Sequence, residues 1–265
     1  MEIKSIQDII NETQSALNLK DYELAYKIAK ENIDLNKEYK EGEYVFKNML
    51  EEFLFKVHIK KEITRKYPLI LDYSTLYSTY GEILLKFERI EEAEKSFNLS
   101  INYNPTNVSG LFGLSKIKKY TNKWEDYKNL TLETFKFAYT PKDLAKSFRN
   151  LAIYYFKEYD LKNKEEDKKI GSYLITLSKK YSDEEEPKDI VIEEIEDYLK
   201  SKGLPYGPAI EIITICKSLG FQLDEAKKVV PALHYFKIVY DLTKDENIKL
   251  TIDDLNEKIE KRLNE

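Results

Sequence analysis

Apolar residues in this chain recur at helical spacing, with polar residues between them. Within STLYSTYGEILLKF the residues Leu76, Tyr77, Tyr80, Gly81, Leu84 and Leu85 share one stripe. In the following IEEAEKSFNLSINYNP, Ala93, Phe97, Ser100 and Ile101 share another. This three-and-four spacing predicts two amphipathic helices, and Pro105 predicts the end of the second. Period-two alternation is absent over useful lengths, and no Asn-Gly or Asp-Gly turn occurs, so no strand is expected.

The pattern repeats, and starts near residues 6, 40, 74, 108 and 142 divide the chain into similar units. The first places Ile9, Ala16, Tyr22, Ala25 and Ala29 in register, with Asp21 as the expected cap of its second helix. The unit at 108 places Leu111, Leu114, Ser115 and Trp124, with Tyr127 where a small residue is expected. The unit at 142 opens on Thr140, Pro141 and Asp143, a cap, a first helical position and a first-turn acid. Arg149 is large where the pattern asks for a small residue. A polar insertion around Asp160–Lys168 then delays a second helix carrying Gly171, Ile175 and Ser178. The segment at 40 fits worst and reads as two helices broken before Pro68.

SDEEEP (Ser182–Pro187) is a composition break and a candidate boundary. Beyond it come an amphipathic helix ending at Gly203, an apolar helix over Ala209–Leu219, and a helix around Ala232, Phe236 and Val239. A last helix is expected to start with Thr251 and Asp254 as a capping box.

These residues resemble the tetratricopeptide repeat, whose units of about 34 residues form two antiparallel helices. With Ser74 in first place, the repeat's large and small positions hold Tyr77, Tyr80, Gly81, Leu84, Ala93, Phe97, Ser100 and Pro105. Ala25 takes the place of Ala93 in the first unit, and Trp124 takes the inter-helix turn position that Tyr22 takes there. The resemblance implies an all-α fold, an α-solenoid forming a right-handed superhelix of helical hairpins. Its units would lie near 6–39, 40–73, 74–107, 108–141 and 142–183 within an array over 1–185. Residues 186–265 would form a C-terminal helical region, a degenerate repeat plus a capping helix.

The resemblance also implies a role. Such an array is expected to serve as a protein-interaction scaffold or adaptor, holding a partner protein or peptide in its concave groove. Two alternatives are a peptide-sensing regulatory protein and a self-associating component of a larger assembly, joined through Ala209–Leu219. In the family, set positions of each first helix face the groove. Here they put Ser78, Glu82, Phe112, Lys116, Lys119, Lys146 and Asn150 in that groove. The lysines would suit a peptide carrying an acidic residue or a free carboxylate. Lys146 and Asn150 resemble part of the family's carboxylate clamp, but Ser78 and Glu82 depart from it. The competing reading of these lysines is a solvated surface.

Composition narrows the classes further. Among 265 residues, 43 basic and 48 acidic side chains give a net charge of −5 with the signs mixed, so no nucleic-acid partner is expected. Only 8 glycines and 7 prolines fit a helical array better than an α/β enzyme. No phosphate loop, dinucleotide fingerprint, nucleophile elbow or zinc motif occurs, and neither an enzymatic activity, a metal nor a cofactor is expected. Of the two histidines, His58 is expected at the surface and His234 packed in a helix. The single Cys216 lies in an apolar helix and reads as a buried structural thiol. No leader and no membrane span is legible, and a cytoplasmic location is expected.

Overall fold

The structure is a computed structural model that describes residues 5–182 and 191–263. It forms two compact units, Met1–Thr134 and Phe135–Glu265. Apart from Ser182, the SDEEEP segment lies outside the described residues, as does the expected boundary at 185–186.

The first unit contains α1 (Ile6–Asn18), α2 (Tyr22–Lys30), β1 (Glu43–Val45), α3 (Met49–His58) and β2 (Arg65–Tyr67). It continues with α4 (Tyr73–Lys86), α5 (Ile90–Tyr103), α6 (Val108–Tyr120) and α7 (Trp124–Thr134). Helices α1–α2, α4–α5 and α6–α7 are antiparallel hairpins of the kind the spacing predicts. Asp21 caps α2, its carboxylate accepting the Leu24 N–H at 3.0 Å. Residues Lys20, Glu88 and Asn122 adopt positive φ in the three hairpin turns, which is how the chain reverses there without glycine.

Phe97 of α5 is the central packing element. Its fully buried ring fills a slot between α4 and α6. A Cβ on Gly81 would lie 2.7 Å from the ring, and one on Gly113 would lie closer still. Both helices can therefore close on Phe97 only because these two positions lack side chains. The hydroxyls of Ser96 and Ser100 donate to the Tyr77 and Ser74 carbonyls at 2.7 and 2.8 Å, pinning α5 to α4.

The segment at 40–73 departs from the expected pair of helices. It holds one α-helix, α3, between two short strands that pair in parallel, Tyr44 opposite Lys66, with a single 3-10 turn at Leu69–Leu71 after them. The α1–α2 hairpin packs directly on α4, with Ala25 and Ala29 joining Tyr80, Ile83 and Leu84 in one apolar cluster. The β1–α3–β2 segment is thus an insertion between successive hairpins, not a hairpin itself. Each strand has three residues, too few to show an alternating pattern, and their pairing joins residues far apart in sequence.

The second unit contains α8 (Pro141–Lys162), α9 (Glu165–Lys180), α10 (Ile192–Ser201), α11 (Ile210–Glu225), α12 (Val229–Thr243) and α13 (Glu246–Leu263). Thr140 caps α8 as expected, accepting the Asp143 N–H at 3.1 Å, and Pro141 follows in the first turn. The polar stretch at Asp160–Lys168 does not loop out. It lengthens α8 to Lys162, and α9 starts at Glu165, because charged residues suit an exposed helix end. The slot in this hairpin is inverted: Gly171 on the second helix lies against Phe156 on the first, 2.8 Å from where a Cβ would stand.

Helices α11 and α12 repeat the α4–α5 arrangement. Gly220, Ala232 and Phe236 stand at the same mutual spacing as Gly81, Ala93 and Phe97. A Cβ on Gly220 would be 2.7 Å from the Phe236 ring. Thr251 does not cap α13, which begins five residues earlier behind Asp245. That carboxylate accepts the Asn247 N–H at 3.0 Å, while the Thr251 hydroxyl donates back to the Asn247 carbonyl.

Candidate peptide-binding face

The first helices of two successive hairpins, α4 and α6, lie side by side. They carry five of the residues expected to line a groove. Glu82 on α4 and Lys116 on α6 are half-buried and pair across the helices at 3.4 Å. They are 34 residues apart, one repeat length. Lys119 is also half-buried, about one turn further along α6. The side chains of Ser78 and Phe112 are buried, and the Ser78 hydroxyl donates to the Thr75 carbonyl at 3.0 Å. These two shape the floor of the face and do not project from it. Thr75, in the first turn of α4, has a buried Oγ1 that makes no hydrogen bond among the described residues.

Lys146 and Asn150 belong to the second unit, on α8, where Lys146 is exposed and Asn150 half-buried. Both make polar contacts within the chain.

A second face of the same kind was missed in the sequence. On α11, Phe221 is 52% exposed, and Asp224 pairs with Lys258 of α13 at 3.2 Å. That pair is again 34 residues apart, so α13 stands one repeat beyond α11. Lys217 of α11 pairs with Asp245 at 3.2 Å, and the ammonium holds the Asp245 carboxyl below its usual range. The signal that could have revealed this face was the Gly220–Ala232–Phe236 spacing.

The groups with intrinsic reactivity behave as follows. Cys216 is fully buried in α11, and loss of hydration pushes its thiol up to about 12. His58, the last residue of α3, is half-buried and not a surface residue. His234 is exposed, not packed, since it falls on the outward stripe of α12 beside Tyr235 at 5.2 Å. Among the described residues no group of three His, Cys, Asp or Glu side chains could hold a metal, and no helix is long and apolar enough to cross a membrane.

The thiol makes a measurable prediction. At pH 8 in the folded protein Cys216 should resist iodoacetamide for hours, and it should label within minutes in denaturant. The folded pKa lies above the unfolded value, so the thiol's contribution to stability is complete below about pH 8.5 and is lost as pH rises toward 12. Rapid labelling of the native chain at pH 8, read by mass spectrometry, would contradict this burial.

The chain was compared with known proteins and solved structures. No protein-family model matches the chain, and no curated protein matches it. The fold is similar to a crystal structure of a TPR repeats protein from Bacteroides fragilis, with 16% identity, 95% of this chain and 98% of that chain covered, and a TM-score of 0.36. The packing described above defines the class: an all-α helical-repeat protein built from tetratricopeptide-like hairpins, with one small βαβ insertion.

Proposed function

We propose that this protein is a protein-interaction scaffold that holds a partner protein or peptide on the face formed by α4 and α6. The observation that carries this reading is the Glu82–Lys116 pair bridging two repeat-related helices, with Lys119 beside it. A half-exposed ion pair of this kind is worth little to stability, about 0–1 kcal/mol, so its lysine can exchange partners at small cost. An incoming carboxylate can compete with Glu82 for Lys116 and take a second hydrogen bond from Lys119. Buried Phe112 and Ser78 keep the floor rigid, which limits the ordering entropy lost on binding. The partner chemistry that fits is an extended acidic segment.

Lys146 and Asn150, on α8, are offered as partner contacts of the second unit by itself. No catalytic role is proposed: burial holds the one thiol protonated, which disfavours it as a nucleophile. The protein is expected to act without a cofactor.

The test reverses charge on the face. Lys116→Glu with Lys119→Glu should lower recovery of a cross-linked native partner at least tenfold while the melting temperature stays within about 3 °C, since the substituted side chains are partly exposed. Unchanged recovery, or cross-links mapping away from α4 and α6, would remove this face from the proposal.

A further inference from the structure

Where the βαβ insertion meets the α4–α5 hairpin, four tyrosines cluster, and one ammonium group lies against two of them. The Lys37 Nζ lies 3.5 Å from the centre of the Tyr73 ring and 5.6 Å from that of Tyr103. Tyr67 stands edge-on to Tyr73 at 5.6 Å, and Tyr39 stands edge-on to Tyr103 at 5.5 Å. The rings come from four places in the chain: the segment before β1, β2, the start of α4 and the end of α5. At the rim, the Tyr67 hydroxyl donates to Glu43 at 2.6 Å, and the Arg65 guanidinium lies 4.7 Å from the Tyr67 ring centre, so the Tyr73 face is the one that holds the Lys37 ammonium most closely.

The Lys37 side chain makes no ion pair among the described residues and lies against the two rings. Carboxylates are abundant in this chain, yet this ammonium sits on aromatic faces. It is delivered by a short turn, in which the Lys37 N–H donates to the Asp34 carbonyl at 3.2 Å and the Tyr77 hydroxyl donates to the same carbonyl at 3.0 Å. The turn belongs to a segment without helix or strand, between α2 and β1. The anchor is at Asp34, so the lysine side chain can leave the rings without breaking it.

We propose that this tyrosine box is a binding site for a methylated ammonium group, with Lys37 as its resident intramolecular competitor. A tetra-alkyl cation is more weakly hydrated than a primary ammonium, so it loses less on entering an aromatic box, and its methyl groups make van der Waals contact with the rings. Such a headgroup could come from a free metabolite such as choline or from a trimethylated lysine in a polypeptide. The inference uses none of the residues of the α4–α6 face and stands or falls apart from it.

The test removes the competitor. Lys37→Ala is titrated with tetramethylammonium chloride at constant ionic strength, and binding is followed by proton NMR of the tyrosine rings. Saturable binding is expected, at least tenfold tighter than in the unaltered chain and lost on adding Tyr73→Leu. Choline and a trimethyllysine peptide are then compared: preference for the peptide assigns a protein source, and parity or preference for choline a metabolite source. Binding no tighter than that of the Tyr73→Leu variant would overturn the site. Should Lys37→Ala disturb the fold, the unaltered chain gives an independent readout. Saturating tetramethylammonium should raise acylation of Lys37 severalfold relative to the other lysines, read by mass spectrometry. Unchanged relative acylation would equally reject the proposal.

Discussion

Replacing Gly113 with alanine is expected to destabilise the first unit by about 2 kcal/mol, although helix propensity alone predicts a gain. In a helix interior, alanine is favoured over glycine by about 1 kcal/mol. Against this stands the Phe97 ring, already held on its other side by Gly81, where an added Cβ would stand at 2.7 Å. The ring is fully buried and cannot swing into solvent. Forcing a methyl group into such a core costs about 1–3 kcal/mol or more, so packing should win. The sole tryptophan, Trp124, lies in this unit, so its fluorescence during chemical denaturation reads the effect directly. Phe97→Leu vacates ring volume and should suppress part of the loss, giving a coupling of at least about 1 kcal/mol in a double-mutant cycle. Gly207→Ala is the control, because a Cβ there meets only the Tyr181 hydroxyl at 3.9 Å. Strict additivity of Gly113→Ala and Phe97→Leu would refute the slot.

Glu51→Ala should cost a similar amount, about 3 kcal/mol, by a different mechanism. Glu51 is 2% exposed on α3, within the insertion. Its Oε2 accepts the Lys47 N–H and the Asn104 Nδ2–H, both at 2.8 Å. Asn104, in turn, accepts from the Thr106 N–H at 3.1 Å and from its hydroxyl at 2.7 Å. One carboxylate therefore ties the start of α3 to the turn between α5 and α6. It also lies in the first turn of α3, where the helix dipole favours a negative charge. Alanine would leave two buried donors without an acceptor, each costing about 1–3 kcal/mol if water cannot reach it. Glu51→Gln keeps one acceptor oxygen and should lose markedly less. Equal losses for the two variants, read by Trp124 fluorescence, would show that the site responds to volume and not to hydrogen bonding.

The sequence alone determined the hairpins whose small and large residues fall within one repeat length. Gly81, Ala93 and Phe97 are legible because each slot is built from partners close in sequence at a set helical spacing. By the same rule Gly220, Ala232 and Phe236 were legible in principle. Ala232 and Phe236 were read as a repeat's second helix, but Gly220 was not joined to them, because Cys216 and Val239 fill the neighbouring places with different side chains. Only the tertiary structure decided that residues 40–73 are an insertion. Its strands are three residues long, and its main tie, Glu51 to Asn104, spans 53 positions. The candidate face divided in the same way: periodicity put Glu82 and Lys116 on adjoining helices. That they neutralise one another, that Phe112 is floor and not wall, and that Lys37 sits among tyrosines depend on distances between segments that no local pattern encodes.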